Sequence, residues 1–194
     1  APGQPKSWQT YRNRFIEPRR IHAGLAFWDT HEPWLEKARQ RYGVPPELVV
    51  GVIGVETYYG RHRGGFRVLD ALATLSLDFP TGRSDRSAFF RDELGHFLVW
   101  ARRERLAPAA VKGSYAGAIG LGQFMPGSIL RHAIDFDGDR HVDMGHSAAD
   151  VIGSIANFLV NHGWLAHEPT DFRVQAPTDP QQLAALLAPD IEPT

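Results

Sequence analysis

Apolar residues recur at helical spacing over several stretches of the chain, and nowhere do they alternate with polar ones for more than a few residues. Around 29–42, Trp34, Leu35, Ala38 and Tyr42 share one face, and the pattern stops at Gly43, a residue suited to the left-handed turn that closes a helix. Pro45 and Pro46 open a second apolar stretch that runs to Glu56; proline in a first helical turn sacrifices no hydrogen bond. Ala88 to Glu104 sets Phe90, Leu94, Phe97, Leu98 and Ala101 on one stripe, and Ala148 to His162 does the same with Val151, Ile152, Ile155, Leu159 and Val160. Residues 107–128, rich in glycine, small residues and proline, predict a shaped surface rather than a long regular element. Beyond Trp164 the chain turns proline-rich and closes with a short helical signal from Leu183 to Leu187 and a tail from Pro189. The expected class is mainly α.

Composition narrows what such a fold can do. A chain of 194 residues can bury a real core and defaults to one main domain, and no apolar run is long enough to cross a bilayer. The formal net charge of −1 supplies no field to recruit nucleic acid, so none is expected as a partner. Cysteine is absent, which removes thiolate nucleophiles, disulfides and cysteine zinc sites. The first residues lack the basic and apolar regions of a signal peptide, so the expectation is a cytoplasmic protein or the mature part of an exported one.

One acid stands out. Glu56 follows eight residues, Leu48 to Val55, that carry no polar side chain, and its helical neighbours Val49, Val52 and Ile53 are all apolar. Gly60 follows closely, which puts Glu56 near a helix C-terminus, where bare carbonyls disfavour a negative charge. Desolvation and dipole both raise the pKa, and a carboxyl group that keeps its proton near neutrality can act as a general acid. The same pattern also fits a structural acid paired with Arg61 or Arg63.

Two further segments carry candidate chemistry. Gly113 to Pro126 permits close backbone approach and presents Ser114, Gln123 and Phe124, a hydroxyl, an amide and a ring of the kind that bind the rim and face of a pyranose. Close helix crossing is the alternative use of those glycines. A phosphate loop is excluded, because no Gly-Lys-Ser/Thr ending is present. Asp135, Asp137, Asp139 and Asp143 occupy positions one, three, five and nine of an EF-hand-like loop, 135–150. Arg140 replaces the usual glycine and His146 the usual final glutamate, which leaves Asp150 to complete a calcium site or merely to cap a helix. The nine histidines contain no His-Glu-x-x-His pair, so zinc hydrolysis has no support.

Taken together, these motifs resemble the membrane-bound lytic murein transglycosylase B family from about Tyr11 to Trp164. The resemblance rests on Trp8 to Pro18, on Tyr42 to Glu47 with Gly54 to Thr57, on Leu69 to Leu75, on Gly113 to Pro126, and on the Asp135 loop with Ala156 to Leu159. It implies a lysozyme-like helical catalytic core with additional N-terminal helices: 1–43 as the N-terminal part, 44–170 as the core, and 171–194 as an extended tail that begins a further section. It implies cleavage of the β-1,4 bond between N-acetylmuramic acid and N-acetylglucosamine in peptidoglycan, with Glu56 as acid and then as base, leaving 1,6-anhydromuramic acid ends. Tyr11, Arg86, Ser114, Gln123 and Phe124 match substrate-contacting or supporting positions. Asp135, Asp137, Asp139, the His141 carbonyl and Asp150 match calcium ligands.

The same resemblance implies no organic cofactor, a structural Ca2+, glycan strands as partner, cell-wall enzymes as candidate partners, and a monomer. It places the protein in the periplasm or envelope of a Gram-negative bacterium, with an outer-membrane anchor on its precursor. Three departures qualify it. Thr81 to Arg86 is longer than the usual adjacent arginine pair, so the second arginine stays open, with Arg83 a candidate. Phe158 stands where tyrosine is common, and the chain ends at Thr194 where the family continues into a section bearing further Asn and Tyr contacts. A hydrolytic muramidase and a non-catalytic peptidoglycan-binding scaffold are the alternatives.

Overall fold

The computed structural model describes residues 8–82, 84–171, 173 and 175–186. The elements run α1 (Trp8–Phe15), α2 (Pro18–Tyr42), α3 (Pro46–Thr57), β1 (Phe66–Arg67), α4 (Val68–Leu77), α5 (Ser87–Arg103), a short 3-10 turn (Pro108–Ala110), β2 (Lys112–Gly113), α6 (Pro126–His132), α7 (Ala148–Asn161) and α8 (Pro180–Leu186). The chain is mainly α, as the apolar spacing predicts.

Local chemistry explains the boundaries. Proline sits in the first turn of α2, α3 and α6, where its missing N–H costs nothing. Gly43 closes α2 with φ 65 and donates its N–H to Arg39 O at 2.8 Å. Ser147 caps α7 by accepting the Asp150 N–H at 3.1 Å. Helix α2 is longer than the 29–42 pattern suggests and bends at His31 (φ −116, ψ 15), just before Pro33, whose ring disturbs the preceding turn.

Helices α2, α3 and α7 pack on one another, α5 lies against α4 and α6, and α6 joins the two groups through α7. Leu35, Ala38, Val49, Ile53, Leu72, Phe97, Ile119, Phe136, Met144, Val151 and Ile152 form one buried cluster, so α2 shares the core of the helices that follow it. Two predicted stripes need correction. On α5 the buried face is Phe90, Glu93, Phe97, Trp100 and Ala101, while Leu98 is exposed; on α7, Val160 also faces outward. Glu93 is tolerated inside because its carboxylate accepts the Gly127 N–H at 2.6 Å, an anion at the first turn of α6.

β1 and β2 pair antiparallel, Phe66 opposite Gly113 and Arg67 opposite Lys112, a ladder too short to show alternation in sequence. A further bridge joins Ile119 and Phe124, with N–H···O distances of 2.9 and 3.0 Å, and folds 119–124 into a tight turn beside the end of α3.

Candidate active site

Glu56 lies in the last turn of α3 and opens onto a groove with a cavity of about 280 Å³. The other walls are Val52 from α3, Gly122 to Met125 from the tight turn, Ser128 from α6, and Ile155, Phe158 and Leu159 from α7. Among the described residues, Glu56 is the only carboxylate on this wall. The apolar surroundings push its carboxyl above the ordinary carboxylate value, with desolvation the cause.

The way this happens differs from the expectation drawn from sequence. Val49 and Ile53 are buried on the core side of α3, while the Glu56 side chain is exposed toward the groove. Of the three helical neighbours only Val52 shares its groove; the remaining desolvation comes from the other walls, which the helix pattern could not show. Nor is the helix end bare. Tyr58 caps α3 in a left-handed conformation (φ 51) and donates to Gly54 O at 3.2 Å, and the Arg20 guanidinium also bonds Gly54 O. A cation there offsets part of the dipole that was expected to act on Glu56.

The structural alternative for Glu56 finds no support either. Arg61 lies over the Tyr58 ring at 4.6 Å, and Arg63 donates to Gly60 O at 3.1 Å and to Gly145 O at 2.7 Å. Among the described residues, no ion pair or hydrogen bond engages the Glu56 carboxyl group.

Thr57, buried next to Glu56, was not singled out by sequence. Its hydroxyl lies 2.9 Å from Leu121 O, and it accepts the Gly60 N–H at 3.0 Å. The tight turn is thereby tied to the end of α3. Gln123, in a left-handed conformation (φ 49), places its Nε2 2.9 Å from Gly120 O and lines the groove. Phe124 is buried and meets Phe158 edge to face at 5.7 Å, and these two rings form the apolar floor.

The other expected contacts are placed elsewhere. Ser114 Oγ accepts the N–H groups of Ala116 (3.2 Å) and Ala118 (3.0 Å), so it shapes its own loop and is not on the groove wall. Tyr11 is exposed on α1, with its ring 5.1 Å from that of Phe15. Arg86 lies before α5, its guanidinium 4.5 Å from the Phe89 ring. Arg83 lies outside the described residues. Val52, Met125, Ser128, Ile155 and Leu159 join the wall without having been singled out for it; they come from separated segments that only the fold brings together.

The acidic loop gathers Asp135, Asp137 and Asp150, each offering an oxygen within 4.8 Å of the others. The Asp139 carboxylate is not in this group of side-chain oxygens; it instead accepts the His141 N–H at 2.8 Å. Asp150 is buried and accepts the N–H groups of Phe136 and Asp143, both at 2.8 Å, yet desolvation still raises its pKa. A buried acid facing two more carboxylates is a set of hard oxygen donors that suits Ca2+.

The transglycosylase SLT domain model matches residues 1–192. The chain belongs to this family. Its mainly helical architecture is the lysozyme-like fold of that family. Over 163 residues the chain is 48% identical to membrane-bound lytic murein transglycosylase B of Escherichia coli K12, covering 84% of this chain and 44% of that protein. The crystal structure of soluble lytic transglycosylase SltB1 from Pseudomonas aeruginosa matches with a TM-score of 0.82 at 46% identity, over 87% of this chain and 56% of that one. The Escherichia coli lytic transglycosylase Slt35 in complex with calcium matches with a TM-score of 0.82 at 45% identity, over 92% of this chain and 59% of that one. The chain thus spans about half the length of these relatives.

Proposed function

We propose that the protein is a peptidoglycan lytic transglycosylase that cleaves the β-1,4 bond between N-acetylmuramic acid and N-acetylglucosamine. The observation that carries this reading is the single carboxyl group, Glu56, with its pKa raised by an otherwise carboxylate-free groove. Protonated Glu56 gives its proton to the glycosidic oxygen as the bond from that oxygen to the muramoyl C1 breaks. The resulting carboxylate then takes the proton of the muramoyl C6 hydroxyl, whose oxygen bonds to C1 and closes a 1,6-anhydro ring. No water is consumed. An internal nucleophile already held near C1 dispenses with the second carboxylate that hydrolysis recruits to activate water or attack the sugar.

In this reading the Gln123 amide and the Phe124 ring hold the sugar beside Glu56, while Ser114 keeps the preceding loop in shape. Tyr11 and Arg86, which lie off the groove wall, would meet sugar units further along the strand. Asp135, Asp137 and Asp150 would hold a structural Ca2+, neutralising three clustered charges, with Asp139 and the His141 carbonyl as additional ligands after adjustment of the loop. The names of the relatives support a place in the Gram-negative cell envelope.

Mass spectrometry of purified peptidoglycan digested with the protein tests the reaction. The expected products carry anhydromuramic ends, lighter by one water than hydrolysis products. Reducing muramic acid ends alone would show a muramidase instead.

A further inference from the structure

Arg63 is exposed, yet it connects three parts of the molecule that no helix joins. Its Nη1 donates to Gly145 O at 2.7 Å, in the segment by which the acidic loop returns to α7. Its Nε donates to Gly60 O at 3.1 Å, in the turn that leaves α3 just after Glu56 and Thr57. Its own carbonyl oxygen lies 3.4 Å from the Gln123 Nε2, the amide that lines the groove. The anchored pieces are themselves fixed: Asp143 Oδ1 accepts the Gly145 N–H at 2.9 Å, and Gly60 donates to Thr57 Oγ1 at 3.0 Å.

We infer that Arg63 is a positioning residue: a strut from the acidic loop to the end of α3 that fixes the Gln123 amide relative to the Glu56 carboxyl group. This rests on the reaction proposed above. The planar guanidinium is what makes it work, because two N–H groups with fixed directions reach two carbonyls at once, and a lysine ammonium has no such fork. Removing the strut loosens the 60–64 segment and leaves the amide held through Gly120 O, while Glu56 keeps its own surroundings. Misplacement of this kind acts on the rate more strongly than on folding.

The test is a double-mutant cycle with Arg63→Gln, Arg63→Lys and Gln123→Ala, read by kcat/KM on purified peptidoglycan, by Tm, and by amide hydrogen exchange. Each Arg63 variant is expected to lower kcat/KM by about tenfold to a hundredfold. Exchange should speed up in both 119–124 and 143–147, and the Tm of Arg63→Lys should stay close to that of the unaltered protein. In the Gln123→Ala background, replacing Arg63 should cost about twofold or less, because coupled residues do not add. Where Arg63→Gln fails to fold, Arg63→Lys carries the comparison. Full activity in Arg63→Lys, losses that multiply in the double variant, or unchanged exchange in the two segments would each overturn the strut. If Glu56→Gln is inactive while the Arg63 variants are fully active, the strut falls and the reaction stands; activity surviving in Glu56→Gln overturns the reaction itself.

Discussion

The hydroxyl of Thr57 lies 2.9 Å from the carbonyl oxygen of Leu121, so the residue after Glu56 is bonded to the turn that carries Gln123 and Phe124. This bond is buried, and losing it leaves the Leu121 carbonyl and the Gly60 N–H without their partner. Thr57→Val, which keeps the shape and removes the hydroxyl, should cost about 1–3 kcal/mol in denaturant unfolding. Thr57→Ser should recover most of it. Unchanged stability in Thr57→Val would mean that the turn is held by other contacts.

Gly120 occupies the same turn with φ 76, and a Cβ there would meet Met144 O at 1.8 Å. Gly120→Ala must therefore move either the turn or the acidic loop. A loss of more than about 1 kcal/mol is expected, with activity falling alongside it. Wild-type stability in this variant would contradict the close approach of the two segments.

The raised pKa of Glu56 links stability to pH in a defined direction. An acid whose folded value lies above its unfolded one holds its proton more tightly when folded, so stability falls as pH rises from the ordinary value of 4.5 to the raised one. Above that window the cost is constant. Glu56→Gln removes the charge, so its Tm should equal or exceed that of the unaltered protein at about pH 8, with the difference closing toward about pH 4. Activity of the unaltered protein should decline on the alkaline side as the proton donor ionises, above the usual carboxylate range. A Glu56→Gln variant less stable at neutral pH would show that the carboxylate is structurally bonded.

Calcium should raise the Tm and a chelator should lower it, because a ligand that binds only the folded state stabilises it, by about 2.7 kcal/mol at a hundred times its dissociation constant. Asp150→Asn should abolish the response, since Asp150 is the buried member of the acidic cluster. A Tm indifferent to both additions would show that the three carboxylates hold no ion.

Much of this was legible in the sequence, and the reasons for the remainder are physical. Helices α3, α5 and α7 declared themselves through apolar spacing and end signals, and Glu56 through its isolation after an apolar run. Helix α1 did not, since its residues Trp8–Phe15 are mostly polar and basic. Helix α4 had only the run Leu69 to Leu75 to announce it and follows the strand without a side-chain cap. The groove was half legible: Gln123 and Phe124 belong to a distinctive segment, but Ile155 and Leu159 belong to a helical stripe that reads as core, and Phe158 was noted only as standing where the family commonly has tyrosine. Only the fold shows where that stripe leaves the core and meets Glu56. Tyr11 and Arg86 came from resemblance alone and Ser114 from the glycine-rich segment as well, and the structure sets all three away from the groove wall.

The central claim is that one carboxyl group both gives and takes the proton. It is tested most directly by following soluble fragments released from purified peptidoglycan by Glu56→Gln beside the unaltered protein, with co-sedimentation to measure binding. Release should fall to the level of a blank while the variant still sediments with the polymer. Release within about tenfold of the unaltered rate would contradict it, because losing a general acid costs about a hundredfold or more.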